Sequence, residues 1–187
     1  MSPINIAEII FFLFVTATLV QLFYYGWFFS RVALFKTPKK AVSFLVVGDW
    51  GRNGEYMQLE TARQMGAAAA QLEAACVISV GDNFYPKGVV STADPLWQNS
   101  FEKIYTAHSL QEDWFVVLGN HDYKTNPQAQ IEYSRISRRW KMPSRYYTQT
   151  LEAGKANETL LVFLDTNPFE KKYYTDEEEL FRKHIQQ

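Results

Sequence analysis

Four short and almost uninterrupted apolar runs mark the chain: residues 41 to 47, 76 to 80, 114 to 118 and 160 to 164. Runs of this length, bounded by turn residues, predict strands buried on both faces rather than amphipathic helices. The first three end alike, in a glycine followed at once by Asp or Asn: Gly48-Asp49, Gly81-Asp82 and Gly119-Asn120. The fourth ends in Asp165-Thr166-Asn167, and the segment from Arg145 to Leu151 alternates like a half-exposed strand. Between the first two runs, Asn53-Gly54 can open a helix reaching about Ala75, with Glu55 in its first turn where the helix dipole favours a negative charge. Strand, loop, helix, strand is a βαβ unit, which predicts an α/β fold. Shorter helices are expected over Pro95–Thr106 and Gln128–Arg139, and the acidic turn Asp176–Glu179 predicts a last helix start.

The amino-terminal part reads differently. Ile9 to Ser30 is apolar and carries no formal charge, long enough to cross a bilayer as a helix, with Tyr24, Tyr25 and Trp27 near one end as in an interfacial belt. No Lys or Arg precedes the span and bulky aromatics end it, which favours an uncleaved anchor over a signal peptide. The organisation expected is an anchor over residues 1–36, a linker over 37–42 and a catalytic-type domain over 43–187. Arg31, Lys36, Lys39 and Lys40 follow the span, and by the positive-inside tendency they favour a cytoplasmic domain. The remaining chain is net acidic, which excludes a nucleic-acid footprint. The single cysteine, Cys76, excludes an internal disulfide and reads as a small core residue.

Strands of one sheet that each end in such a turn deliver their loops to one edge, where open α/β sheets bind ligands. Asp49, Asp82, Tyr85, Asn120 and His121 would meet there: two carboxylates, a phenol, an amide and an imidazole. Any single Gly-Asp could be only a turn. Together, these donors suit hard or borderline cations, and a two-metal site.

GDWG at 48–51, GDNFY at 81–85 and GNHD at 119–122, with WKMPSRYY at 140–147 and LDTN at 164–167, resemble the purple acid phosphatase branch of the calcineurin-like metallophosphoesterases. In most of that superfamily the first motif is Asp-x-His. Here Trp50 and Gly51 follow Asp49, and Tyr85 supplies the donor that replaces the histidine in the purple branch. The resemblance implies a sandwich of mixed sheets flanked by helices, incomplete in this chain. It implies a dinuclear centre of Fe(III) with Fe(II), Zn(II) or Mn(II). Asp49 and Tyr85 would bind the ferric ion, Asp82 would bridge, Asn120 would bind the divalent ion, and His121 would protonate the leaving oxygen. It further implies hydrolysis of small phosphate monoesters and export from the cytoplasm, against the charge bias flanking the span. Three more histidine ligands belong to the family pattern. His108 and His184 lie outside those motifs, so the chain corresponds to the amino-terminal part of such an enzyme. The alternative is a membrane-tethered remnant of the fold without catalysis. Arg135, Arg138, Arg139, Lys141 and Arg145 form a basic cluster read as a solvated face, with phosphate binding as the rival, and Arg52 lies within reach of the first motif.

Overall fold

A computed structural model describes residues 41–152, 155–156 and 158–170. The span Ile9–Ser30, His184 and the acidic turn at 176–179 lie outside the described residues. Among the described residues no helix is long and apolar enough to cross a membrane.

The three Gly-ending runs form three neighbouring parallel strands, β1 (Leu45–Val47), β2 (Cys76–Ser79) and β3 (Asp113–Val116). A two-residue strand, β4 (Trp140–Lys141), extends the sheet beyond β3, giving the order β1-β2-β3-β4. Helix α1 (Gln58–Leu72) supplies the crossover between β1 and β2. The remaining strands, β5 (Tyr146–Leu151) and β6 (Thr159–Leu164), pair as an antiparallel hairpin with Tyr146 opposite Leu164. The expected sandwich is therefore a parallel sheet with a hairpin against one face, and neither sheet is itself mixed. Cys76 and Phe115 of the parallel sheet meet Leu151 and Phe163 of the hairpin in one apolar cluster. The Tyr147 hydroxyl ties the two together, accepting from the Val116 amide at 2.8 Å and facing the Lys141 carbonyl at 2.9 Å.

An aromatic core fills the other face of the parallel sheet. Trp50 is 4% exposed and lies 5.3–6.3 Å, centroid to centroid, from Phe84, Phe101, Tyr105, Trp114 and Trp140. Edge-to-face pairs of this kind add about 0.5–1.5 kcal/mol each beyond their area burial. Trp50, the middle residue of the first motif, is thus the hub of the core.

Three helices differ from expectation, the first two for identifiable reasons. α1 begins at Gln58, because Asn53, Gly54, Tyr56 and Met57 all take positive φ and the Gln58 amide oxygen accepts from the Arg52 and Gly54 amides. Helix α2 (Gln128–Tyr133) stops six residues short of Arg139, whose guanidinium turns inward to Glu102 and to the carbonyls of Tyr105 and Leu110. The helix expected from Pro95 is a single π-helical stretch, Trp97–Glu102.

Candidate metal centre

The loops leaving β1, β2 and β3 are bonded to one another. The Asp49 amide donates to the Gly81 carbonyl at 3.2 Å, and the Tyr85 amide to the Gly51 carbonyl at 2.8 Å. A Cβ on Gly119 would overlap the Asp82 backbone nitrogen and its Oδ1 atom, so the second and third loops approach as closely as backbone allows. Asp49 and Asp82 both have positive φ, 59° and 50°, a region Asp visits at lower cost than most residues.

Behind the loops runs a buried polar chain. Trp50 Nε1 donates to Ser79 Oγ at 2.7 Å, and Ser79 Oγ to Asn83 Oδ1 at 2.5 Å. Asn83 Nδ2 donates to Gln130 Oε1 at 3.0 Å, while the Asn83 amide donates to the Asp122 carboxylate. Residues of all three motifs are thereby locked in one network. Asp122 also accepts from the amides of Phe84 and Gly119 and from Gln130 Nε2. Burial lifts its carboxyl to about 6, and the donors from Gly119, Asn83, Gln130 and Phe84 pull against that rise. In the sequence Asp122 stands only as the end of the third motif. Its one signal was its place beside His121.

Asp49, Asp82 and Tyr85 do come together. The Tyr85 hydroxyl lies 2.5 Å from Asp49 Oδ1 and 2.8 Å from Asp82 Oδ2. Burial, then the hydrogen bonds and charges of the two carboxylates, holds this phenol well above its ordinary pKa. A phenol has one proton to donate, yet two carboxylate oxygens sit within hydrogen-bond distance of it. Three hard oxygen donors sharing one proton are matched in charge and chemistry to a cation of high charge. Asp82 Oδ1 accepts the His121 amide at 2.8 Å, which fixes the bridging candidate to the third loop. Asn120 stands exposed between Gly119 and His121 at the same sheet edge. Among the described residues no group of three or more His, Cys, Asp or Glu is placed to hold a metal, so the phenol is the third donor of this cluster.

The His121 ring lies 4.4 Å from the Tyr85 ring. Its Nδ1 is 2.7 Å from the Pro86 carbonyl, which can only accept, and 3.0 Å from Lys124 Nζ, which can only donate. Lys124 Nζ approaches Nε2 to 3.2 Å. His108 is exposed and lies in a short 3-10 turn, His108–Leu110.

The basic cluster divides: Arg135 and Arg138 are exposed, as a solvated face requires, and two others are not. Arg139 and Arg145 are buried and paired with Glu102 at 2.8 Å and Asp165 at 3.6 Å. Tyr123 joins the second pair, donating to Asp165 and accepting from Arg145. Lys141 pairs with Asp113 at 3.6 Å. The two arginine charges are met by their partners inside the fold, and the lysine pair lies at the surface. Arg52, by contrast, lays its guanidinium on the Tyr85 ring, 3.6 Å from the centroid.

The sequence has relatives among known proteins. The family model for calcineurin-like phosphoesterase matches residues 42–184. Purple acid phosphatase 7 of Arabidopsis thaliana is 40% identical over 165 residues, 86% of this chain and 49% of that one. Purple acid phosphatase 3 of the same plant is 46% identical over 71% of this chain and 35% of its own length. Tartrate-resistant acid phosphatase type 5 of Oryctolagus cuniculus is 38% identical over 66% of this chain and 40% of its own. The chain thus spans about half or less of the length of these relatives. Among solved structures, one titled "GAP50 the anchor in the inner membrane complex of Plasmodium" superposes with a TM-score of 0.65 at 22% identity, covering 78% of this chain and 48% of that one.

Proposed function

This chain belongs to the calcineurin-like phosphoesterase family, in its purple acid phosphatase-like branch, and on that premise we propose that it forms the amino-terminal half of a metal-dependent phosphatase acting on phosphate monoesters. The observation that carries the reading is the cluster of Asp49, Asp82 and Tyr85, three oxygen donors with one phenolic proton among them. These three would hold Fe(III). Asp82 would also face a divalent ion, Fe(II), Zn(II) or Mn(II), with Asn120 as a second donor. When bound, such a pair of ions supplies Lewis acidity toward a phosphoryl group.

The protein groups do the rest. The Gly119–Asp82 approach and the His121 amide fix the bridging carboxylate. The Pro86 carbonyl and Lys124 hold the His121 ring at this edge, where an imidazole can pass a proton to or from an ester oxygen. Lys124 supplies a positive charge beside that ring, favourable to an anionic ester.

We further propose that Ile9–Ser30 anchors the protein as a single span, with the phosphatase domain on the extracytoplasmic side, where a ferric–tyrosinate centre escapes a reducing environment. Protease added to intact cells should digest the domain; a protected domain would reverse the orientation, and recovery in the soluble fraction would remove the anchor.

Reconstitution with ferric iron tests the centre itself. The loaded protein should show a visible charge-transfer band that Tyr85→Phe removes while the circular dichroism spectrum is retained. Iron binding without such a band contradicts Tyr85 as a ligand. A tethered module without catalysis, the second reading, differs in one readout: it holds no metal at this edge.

A further inference from the structure

The segment Arg52–Met57, beside the metal-centre candidate, is built as a rigid platform with its large side chains outward. Four of its residues, Asn53, Gly54, Tyr56 and Met57, have φ between 50° and 82°. For Tyr and Met this region is sparsely populated, and such conformations persist only where the surroundings enforce them. The enforcement is visible. Gln58 is 4% exposed, and its Oε1 accepts the Arg52 and Gly54 amides at 2.9 and 2.8 Å. Its Nε2 donates to the Ser100 carbonyl at 2.8 Å, and Ser100 Oγ accepts the Asn53 amide at 2.9 Å.

The loop buries none of its large side chains in return. Tyr56 is 79% exposed and Met57 66%. A strained loop pinned from below yet presenting an aromatic ring and a thioether to solvent is not explained by core packing. The Arg52 guanidinium connects this ring to the site, lying 5.4 Å from the Tyr56 centroid and 3.6 Å from that of Tyr85. Among the described residues Arg52 makes no ion pair, so its charge is not neutralised by a carboxylate.

We propose that this loop is the leaving-group subsite for phosphate esters of planar aromatic alcohols. Arg52 meets the phosphate charge, and Tyr56, flanked by Met57, stacks on the aromatic ring. The chemistry of each group matches its role. A guanidinium pairs with phosphate oxygens through its fork of N–H donors, aromatic faces stack on one another, and a methionine sulfur favours an aromatic neighbour. The inference rests on the phosphatase reading for the identity of the anion.

Two phosphonates whose P–C bond resists hydrolysis test it without turnover. Phenylphosphonate and methylphosphonate are titrated by calorimetry into the full 187-residue chain in detergent, with and without ferric iron, and iron content is measured on the same samples. Phenylphosphonate should bind about tenfold more tightly than methylphosphonate, the size of one aromatic contact. Tyr56→Asn, which tolerates positive φ, should bring that ratio close to one, Tyr56→Phe should keep it, and Arg52→Gln should weaken both ligands. A ratio of one in the wild type, a ratio unchanged in Tyr56→Asn, or no binding of either phosphonate overturns the subsite. A chain that holds no iron contradicts the metal centre instead, and the titration without iron then decides the subsite by the same ratio.

Discussion

Asp122 and Asp82 lie in neighbouring loops of one sheet edge, and their surroundings are opposite. Asp122 is fully buried and accepts from four groups, the amides of Asn83, Phe84 and Gly119 and the Gln130 side chain. Among the described residues, half-buried Asp82 receives a single N–H, from His121; its other oxygen faces the Tyr85 hydroxyl that Asp49 also faces. A carboxylate supplied with donors on every side is a structural post. One that is short of donors, and crowded by another carboxylate, has capacity left for a cation. The same residue type thus plays two parts within one edge, and the count of donors separates them.

The largest effect should come from the post. Asp122→Ala strands four donors, each costing about 1–3 kcal/mol when left unpaired. The unfolding free energy should fall by at least about 4 kcal/mol in urea titration; a loss under about 1 kcal/mol would place Asp122 outside the scaffold. Its pH signature follows from burial. The folded carboxyl titrates at about 6, above its ordinary value of 3.8, so the fold holds this proton more tightly than the unfolded chain does. The stability it contributes is complete below the ordinary value and is lost as pH rises through about 6. Relative to Asp122→Asn, the wild type should lose stability between pH 4 and 7, with a slope of at most about 1.4 kcal/mol per pH unit.

Gly119→Ala sharpens the contrast at intermediate size. The new methyl overlaps Asp82 at both its backbone nitrogen and its carboxylate. The fold should weaken by about 1–3 kcal/mol, the usual range for overpacking, while bound metal falls much further. Equal metal content in variant and wild type would mean that Asp82 is not a ligand.

Cys76 gives the smallest effect. Burial, with the nearby Asp113 charge, pushes its thiol up to about 11. At pH 8 iodoacetamide should label it at least about a hundredfold more slowly than it labels the urea-unfolded chain. Comparable rates would mean that the cluster between sheet and hairpin is open to solvent.

The convergence of Asp49, Asp82 and Tyr85 was legible in the sequence because local signals fix it. A buried parallel strand ending in Gly-Asp delivers its carboxylate to the carboxyl edge whatever the loops do next. Residues settled by distant partners were not legible. Arg139 and Arg145 look like surface charge in the sequence, and their burial depends on Glu102 and Asp165, 37 residues before the first and well after the second. The start of α1 was misplaced because Asn53-Gly54 is a sound helix opener locally, while Gln58 and Ser100, 42 residues apart, hold the chain in another conformation. Gly51 announced a departure from the common metal motif, but only the packed loops show why a glycine stands there, since a Cβ would overlap the Asn83 carbonyl.

Metal stoichiometry of Asp82→Asn tests the central claim most directly. Asn tolerates the positive φ at this position and keeps an acceptor for the His121 amide, so the fold should be retained. After dialysis against ferric iron and removal of excess, elemental analysis should find metal in the wild-type chain and less than a tenth of it in the variant, with identical circular dichroism. Equal metal in both proteins, or none in the wild type, would contradict a cation held between Asp49, Asp82 and Tyr85.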